Sequence, residues 1–204
     1  MALDSNIIYL VSASPRRREL LKQIGVHFET LLLRSGPDRG VDVDETPTPG
    51  ESVEDYVGRI AVAKATWGWR RIRDRRLPAH PALAADTAVC LSGEIFGKPG
   101  NPENALDMLK KLSGREHEVL TAVACVFGER LEIGVSRSRV RFCELTDREM
   151  RDYVATGEPM DKAGGYAIQG RAARFVERME GSYSGVMGLP LFETGQLLRK
   201  IGQS

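Results

Sequence analysis

The chain has 204 residues, of which 42% are hydrophobic and 28% charged, and its 29 basic and 28 acidic side chains leave a formal net charge of +1. This length is sufficient for one domain or two small lobes with a substantial core. The balanced charge argues against nucleic acid or a membrane as the main partner. No apolar run approaches the ~20 residues of a membrane-spanning helix, and no signal-peptide pattern opens the chain.

The cysteine and histidine content argues against metal and redox sites built from these residues. Cys90, Cys125 and Cys143 each lie in an apolar, strand-like run and form no Cys-x-x-Cys pair, so we expect buried, reduced thiols. The three histidines are scattered along the sequence, which excludes a histidine-rich metal site.

Segments with the periods of strands and of helices alternate, which predicts a mixed α/β protein. The apolar run Ile7 to Val11 predicts a strand buried on both faces. Ser14 is the expected N-cap of the following helix, with Pro15 as its first residue and Gly25 as its stop signal. The buried face of this helix is expected to carry Leu20, Leu21 and Ile24.

A Gly/Pro/Asp-rich loop, Arg34 to Glu51, precedes a helix that is predicted to begin at Ser52 with Asp55 at the capping-box position. The apolar stripe of that helix consists of Val53, Tyr56, Val57, Ile60 and Ala61. Lys64 falls on the same stripe. Its amine either reaches water along the helix or points into a cleft, where it requires an anionic partner.

A second buried strand is predicted over Ala82 to Leu91, and Asp86 and Thr87 interrupt its apolar pattern. An ionised carboxylate that is buried without a partner is very costly, so Asp86 must be exposed, paired or bound to a metal. Two interpretations are open: an aspartate that pairs with a core arginine, or a general base or metal-linked carboxylate.

The rest of the chain continues the alternation and contains no internal repeat or clear linker, so residues 1–204 are predicted to form a single domain. The remaining predicted elements are a helix from Asn101-Pro102 through Leu112, a strand pair over Glu118 to Phe142 that turns near Gly128-Glu129, a short helix over Thr146 to Gly157, and a last helix over Pro190 to Gly202.

The first strand–helix turn carries an unusual set of polar residues: Ser12, Ser14, Arg16 and Arg17. Free backbone N–H groups and the positive end of the helix dipole favour an anion at this place. Arginines in the first turn oppose the dipole, so helix stability does not explain them. The turn is therefore either a phosphate site or a solvated basic patch.

Two further stretches carry candidate ligand contacts. Gly97-Lys98-Pro99 is similar to the end of a P-loop, but Gly93 lies one residue too close and Pro99 replaces the required Ser or Thr, so P-loop chemistry is excluded. Lys98 remains as a charge at a turn. The glycine-rich segment Glu158 to Gly170, which contains Gln169, is either an irregular loop or a place where a ligand approaches the backbone.

Taken together and in this order, the stretches resemble the Maf family of nucleoside triphosphate pyrophosphatases over essentially the whole chain from about residue 7. The matching motifs are Ser12-Ala13-Ser14-Pro15-Arg16-Arg17, Asp44-Glu45-Thr46, Ala63-Lys64-Ala65, Ala85-Asp86-Thr87, Gly97-Lys98-Pro99, Leu112-Ser113-Gly114-Arg115, Gly157-Glu158-Pro159, Ile168-Gln169-Gly170 and Gly188-Leu189-Pro190. The resemblance implies a mixed twisted sheet flanked by helices, with two lobes around a central cleft. It also implies a cytoplasmic enzyme that depends on a divalent cation, Mg²⁺ or Mn²⁺, and often forms a homodimer.

The resemblance also implies roles for individual residues. Asp86 matches the position of the proton acceptor, while Arg16, Thr87 and Gln169 match positions that separate the branches of the family. The Arg/Thr/Gln set resembles the branch that hydrolyses dTTP and UTP. The branch that acts on 7-methyl-GTP carries Trp, Gln and Glu at these positions instead.

The expected chemistry is attack by water on the α-phosphorus, with Asp86 as the general base. Arg16, Arg17, Lys64 and Lys98 are expected to meet the triphosphate, together with Ser12 and Ser14 of the first turn. Glu45 and Asp86 are the expected metal ligands. The Gln169 amide is expected to pair with the edge of uracil or thymine, helped by Thr87.

Three alternatives remain open at the level of sequence. In the first, the substrate is a modified nucleotide such as 7-methyl-GTP. In the second, the protein binds nucleotide or nucleic acid without catalysis. The second alternative would use Trp67 to Arg76, which holds two tryptophans and five arginines. The third, a role in septum formation that is attached to the family name, can coexist with hydrolysis.

Overall fold

The computed structural model describes residues 7–34 and 42–202, and within them it places seven strands and six α-helices. The strands are β1 (Ile7–Leu10), β2 (His27–Thr30), β3 (Ala82–Leu91), β4 (Glu94–Phe96), β5 (Glu116–Phe127), β6 (Arg130–Phe142) and β7 (Val176–Glu180). The helices are α1 (Pro15–Gln23), α2 (Val53–Asp74), α3 (Pro102–Leu112), α4 (Asp147–Val154), α5 (Tyr183–Met187) and α6 (Leu191–Ile201). Short 3₁₀ helices occupy Glu158–Asp161, Ala163–Gly165 and Arg171–Phe175.

The strands form one mixed sheet in the order β2-β1-β3-β5-β6-β7, and β4 pairs with β3 off this path. β1 is parallel to both β2 and β3, whereas the pairs β3–β4 and β6–β7 are antiparallel. The mixed α/β sheet flanked by helices that the sequence predicted is therefore confirmed.

The chain divides into two compact units. The first comprises the described residues of Met1–Asp86, Thr121–Val135 and Gly188–Ser204, and the second comprises Thr87–Leu120 and Ser136–Met187. The core of the second unit includes Leu109, Phe142, Tyr153, Ile168 and Phe175. The central cleft implied by the resemblance stays a prediction.

Helix boundaries follow the capping residues that the sequence contains. Ser14, Ser52, Asn101 and Thr146 each occupy an N-cap and accept a hydrogen bond from the backbone N–H three residues later. The complete capping box forms at Thr146 with Glu149. These helix starts are confirmed.

Several sequence expectations need correction. Ile24 was expected on the buried face of α1 but is 40% exposed, because it is the C-cap residue, where the chain turns towards β2. By contrast, the strand predicted over Ala82 to Leu91 is confirmed, since β3 has these bounds and runs continuously through Asp86 and Thr87. The short helix ends at Val154, before Gly157.

Residues 35–41 of the predicted long loop lie outside the described residues. Cys90 and Cys125 are buried free thiols as expected, whereas Cys143 is only half-buried. Among the described residues, no helix has the length and apolar character needed to cross a membrane.

Candidate active site

Lys64, Asp86 and Glu45 meet in the first unit as an ion-paired cluster. The Lys64 ammonium nitrogen lies 2.7 Å from Oδ1 of Asp86 and 2.8 Å from Oε1 of Glu45. Lys64 and Asp86 are each only 7% exposed. The interpretation of Lys64 as a side chain that extends its amine to water is therefore wrong. The other interpretation required an anionic partner for the Lys64 ammonium, and Asp86 and Glu45 are both in contact with it.

The secondary structure explains how the pair forms. Lys64 is one turn after Ile60 on the buried stripe of α2, and Asp86 lies in the middle of β3. Each charge is placed by an element whose neighbouring side chains are apolar, so neither can reach bulk water easily. Asp86 pairs with a lysine, whereas one sequence interpretation paired it with a core arginine.

The loop that carries Glu45 is fastened to α2. The Tyr56 hydroxyl donates to the backbone carbonyl of Glu45 at 3.0 Å. Arg59 donates through Nη2 to the carbonyl of Thr46 at 3.1 Å and forms a 2.6 Å ion pair with Glu51. Tyr56 and Arg59 were not identified as site residues from the sequence, because Tyr56 was assigned only to the apolar stripe.

Burial raises the pKa of Asp86 above its usual range, although Lys64 and Arg17 oppose this shift. Burial also raises the pKa of Tyr56 to about 12, with further contributions from the Asp86 and Glu45 carboxylates. Burial lowers the pKa of Arg17, and the Asp86 carboxylate partly offsets this effect. Asp86 is thus a carboxylate whose proton affinity has been increased, as a general base requires.

The first turn holds Arg17 beside this cluster. Arg17 Nε donates to the carbonyl of Gly188 at 2.7 Å, and its Nη1 contacts Oγ of Ser12 at 3.4 Å. Ser12 Oγ also accepts from the backbone N–H of Ser14 at 3.1 Å. The sequence gives no sign that the Gly188 carbonyl orients an arginine 171 residues away.

The neighbouring arginines of the same turn are arranged differently. Arg16 is half-buried, and Arg18 donates to the carbonyl of Ala13 at 3.4 Å. The first turn of α1 contains three consecutive arginines at the positive end of the helix dipole. This arrangement suits an anion such as phosphate.

Three other candidates belong to the second unit, and their position relative to the cluster stays a prediction. Thr87 is half-buried in β3, while Lys98 and Gln169 are exposed. The turn of Lys98 is tied to the glycine-rich segment, because the backbone N–H of Gly164 donates to the carbonyl of Gly97 at 3.0 Å.

The donor set limits how a metal could bind. No group of three or more His, Cys, Asp or Glu residues suited to a metal ion exists in the part of the chain that the structure describes. Two carboxylates, those of Asp86 and Glu45, nevertheless converge on the Lys64 ammonium. Such a pair fits Mg²⁺, which is commonly held by one or two carboxylates together with substrate phosphates and water.

The tryptophans of the arginine-rich segment pack within the first unit. Trp69 contacts Phe127 edge to face with ring centroids 5.4 Å apart, and the Arg71 guanidinium lies 5.5 Å from the centroid of the Trp67 ring. Both tryptophans are half-buried on α2. These contacts do not favour the use of their faces as stacking platforms for nucleic-acid bases.

Comparison with known proteins gives a consistent result. The family model described as "Maf-like protein" matches residues 7–201. A dTTP/UTP pyrophosphatase of Aromatoleum aromaticum is 60% identical over 96% of this chain and 95% of its own length. A dTTP/UTP pyrophosphatase of Nitrosospira multiformis is 56% identical over 98% of this chain and 97% of its own.

A more distant similarity exists among solved structures. The Ham1 protein of Staphylococcus aureus aligns with a TM-score of 0.45 at 16% identity, covering 67% of this chain and 71% of that one. A likeness at this level carries no argument about function.

Proposed function

The chain belongs to the Maf family, and we propose that it hydrolyses dTTP and UTP to the nucleoside monophosphate and pyrophosphate. The observation that carries this proposal is the buried Asp86, 2.7 Å from the buried Lys64 ammonium and beside Glu45. The curated relatives that match over nearly their whole length bear the name of this activity.

In the reaction, the oxygen of a water molecule forms a bond to the α-phosphorus, and the bond to the oxygen that bridges to the β-phosphorus breaks. Pyrophosphate leaves, and Asp86 accepts the proton of the water. The raised pKa of Asp86 suits this role, because a general base works best when its pKa is near the working pH. Such catalysis contributes about 10²–10⁴-fold.

Electrostatic stabilisation supplies most of the remaining acceleration. Arg17 is held by Gly188 and Ser12, and with Arg16 it offers cationic charge at the start of α1. Ser12 and Ser14 line the same turn. Lys98 is proposed to offer a further positive charge to the triphosphate, and Lys64 keeps the two carboxylates from repelling each other.

The proposed cofactor is Mg²⁺ or Mn²⁺, held by Asp86 and Glu45 together with substrate phosphates. When bound, the ion supplies neutralisation of the charge that develops on the phosphates. Tyr56 and Arg59 support this role indirectly, because they fasten the loop that carries Glu45.

The base is recognised by Gln169, with Thr87 as a second polar contact. An amide can pair with the N–H and carbonyl edge of uracil or thymine, but it can rotate to serve cytosine as well. Selectivity therefore requires that the position of Gln169 is fixed.

We place the protein in the cytoplasm, in agreement with its free thiols. The whole chain, residues 1–204, acts as one catalytic domain and can form a homodimer. Its cellular role is to remove nucleoside triphosphates from the nucleotide pool.

The test is release of pyrophosphate from dTTP, UTP, CTP, GTP and 7-methyl-GTP, with Mg²⁺ or Mn²⁺ and with a chelator. We expect turnover of dTTP and UTP that is lost with the chelator and restored by the metal. Turnover of 7-methyl-GTP in preference to UTP would overturn the assignment of Arg16, Thr87 and Gln169. Absence of release from every nucleotide would overturn the enzymatic function.

A further inference from the structure

Gln169 lies in a tight turn whose two ends are held by side chains. The backbone N–H of Gly170 donates to the carbonyl of Ala167 at 3.0 Å, which closes the turn around Ile168 and Gln169. Ile168 is 6% exposed and belongs to the core of the second unit. Gln169, the next residue, is exposed. The turn thus inserts one side chain into the core and presents the other outward.

Tyr153 of α4 holds the beginning of this turn. Its hydroxyl accepts a hydrogen bond from the backbone N–H of Ala167 at 3.2 Å and donates one to Oε1 of Glu158 at 2.8 Å. Tyr153 is only 2% exposed, and its ring packs edge to face on Phe175 with centroids 5.3 Å apart. The hydroxyl is therefore fixed in position by a buried ring.

Glu158 holds the end of the turn. Its two carboxylate oxygens accept from the backbone N–H of Arg171 at 3.0 and 3.2 Å. A Cβ atom on Gly170 would lie 2.4 Å from Oε1 of Glu158, which is closer than real contacts allow. The carboxylate is thus packed directly against the backbone that follows Gln169, and a side chain at position 170 would have to displace it.

The polar groups of this arrangement form one network. A buried hydroxyl costs free energy unless it is hydrogen-bonded, and so does a buried backbone N–H group. Here Tyr153 and Glu158 are bonded to each other, and their other bonds include the backbone on the two sides of Gln169.

We propose that Tyr153 and Glu158 are positioning residues that fix Gln169 and thereby set the preference for uracil and thymine over cytosine. This inference rests on the proposed function, in which Gln169 reads the base. Tyr153 and Glu158 do not touch the substrate. They act through the turn, whose displacement by a fraction of an ångström weakens the pairing of the amide with the base.

The readout is the ratio of kcat/KM for UTP to that for CTP, because this ratio is independent of the fraction of enzyme that is folded. Tyr153→Phe removes the hydroxyl and keeps the ring, and we expect it to lower the ratio by roughly tenfold. Glu158→Leu keeps much of the side-chain volume but removes the acceptor for the Tyr153 hydroxyl and for the Arg171 backbone N–H, and we expect a similar loss. Gln169→Ala is expected to lower the ratio at least as much.

The decisive comparison is the double variant. If Tyr153 acts through Gln169, adding Tyr153→Phe to Gln169→Ala leaves the ratio where Gln169→Ala alone puts it. Independent multiplication of the two effects would overturn the proposal, as would an unchanged ratio in Tyr153→Phe or in Gln169→Ala.

The matched control is Thr146→Ala, which removes the capping box of α4, the helix that carries Tyr153, without altering a bond to the turn. It is expected to lower the melting temperature and leave the ratio unchanged. If Thr146→Ala lowered the ratio as much as Tyr153→Phe, the role of Tyr153 would be structural and the proposal would fail. Failure of the proposed function is distinct, because the wild-type protein would then hydrolyse neither UTP nor dTTP.

Discussion

The Lys64 ammonium lies 2.7 Å from the Asp86 carboxylate, and both side chains are buried. Buried ion pairs are weak evidence for stability, because the cost of removing two charges from water often exceeds their attraction. A pair of well-packed apolar residues would serve the fold of the first unit equally well. The presence of this pair beside a third charged group, Glu45, is therefore best explained by chemistry.

Replacement of Lys64 by methionine is expected to change the pH dependence of the reaction. The ammonium lowers the pKa of Asp86 against the effect of burial, so its loss raises that pKa further. The acidic limb of the kcat/KM profile should then move to higher pH. The matched control is Lys111→Met, which removes the exposed 2.6 Å pair with Glu94. If the pH profile of Lys64→Met matched that of the wild type, the group that titrates in the reaction would not be Asp86.

Replacement of Arg59 by alanine is expected to loosen the loop that carries Glu45. The change removes the bond to the Thr46 carbonyl and the ion pair with Glu51. We expect faster cleavage after Glu45 by a glutamate-specific protease, and a loss of turnover of roughly tenfold from misplacement of Glu45. Arg141→Ala removes an arginine–glutamate pair, with Glu177, that lies on the exposed surface of the second unit and outside this loop, and it serves as the control. Equal protease resistance and turnover in the two variants would contradict the anchoring role.

His117 predicts a pH dependence of stability that is separate from the active site. Burial lowers the pKa of His117 to about 4, from an ordinary value of 6.5. Because the unfolded chain takes up the proton first, stability is complete above pH 6.5 and falls as the pH is lowered towards 4. The loss from this group is about 3 kcal/mol over that window.

Urea unfolding between pH 7 and pH 4 measures this dependence. His117→Gln should be less stable than the wild type at pH 7 and should lack this part of the decline. Parallel stability curves for the two proteins would show that His117 does not titrate in this way.

Replacement of Arg16 by alanine is expected to raise KM for dTTP, UTP and CTP by the same factor, roughly tenfold. The reason is that the first turn of α1 favours an anion and the three nucleotides share their phosphates. Arg18→Ala, which changes the arginine bonded to the Ala13 carbonyl, is the control in the same turn. A changed ranking of the three substrates would contradict a contact of Arg16 with the phosphates and would indicate that Arg16 contacts the base.

Local signals allowed much of the fold to be predicted. Ser14, Asn101 and Thr146 occupy the expected caps because capping depends on residues three positions apart. The short strands β2, β4 and β7 were missed, since three to five residues with few buried positions give no clear period. β2 and β7 are identified by their pairing with β1 and β6, whereas β4 follows β3 directly after a two-residue turn.

In the candidate site, too, single residues could be predicted from the sequence but their contacts could not. Lys64 and Asp86 could be recognised separately as charges in apolar surroundings, but not as partners, because only the fold brings α2 against the middle of β3. The contact of Arg17 with the Gly188 carbonyl spans 171 residues and has no sequence signature. A charged residue in an apolar segment can be recognised from sequence, whereas the residue that it pairs with cannot.

The most direct test of the central claim is pyrophosphate release from UTP and dTTP by the wild type and by Asp86→Asn, with circular dichroism of both proteins. Asparagine keeps the shape of the side chain and an oxygen for Lys64, but it cannot accept the proton of the attacking water. We expect a native spectrum and a loss of turnover of about 10²–10⁴-fold. Wild-type-like turnover in a folded Asp86→Asn protein would contradict the assignment of Asp86 as the general base.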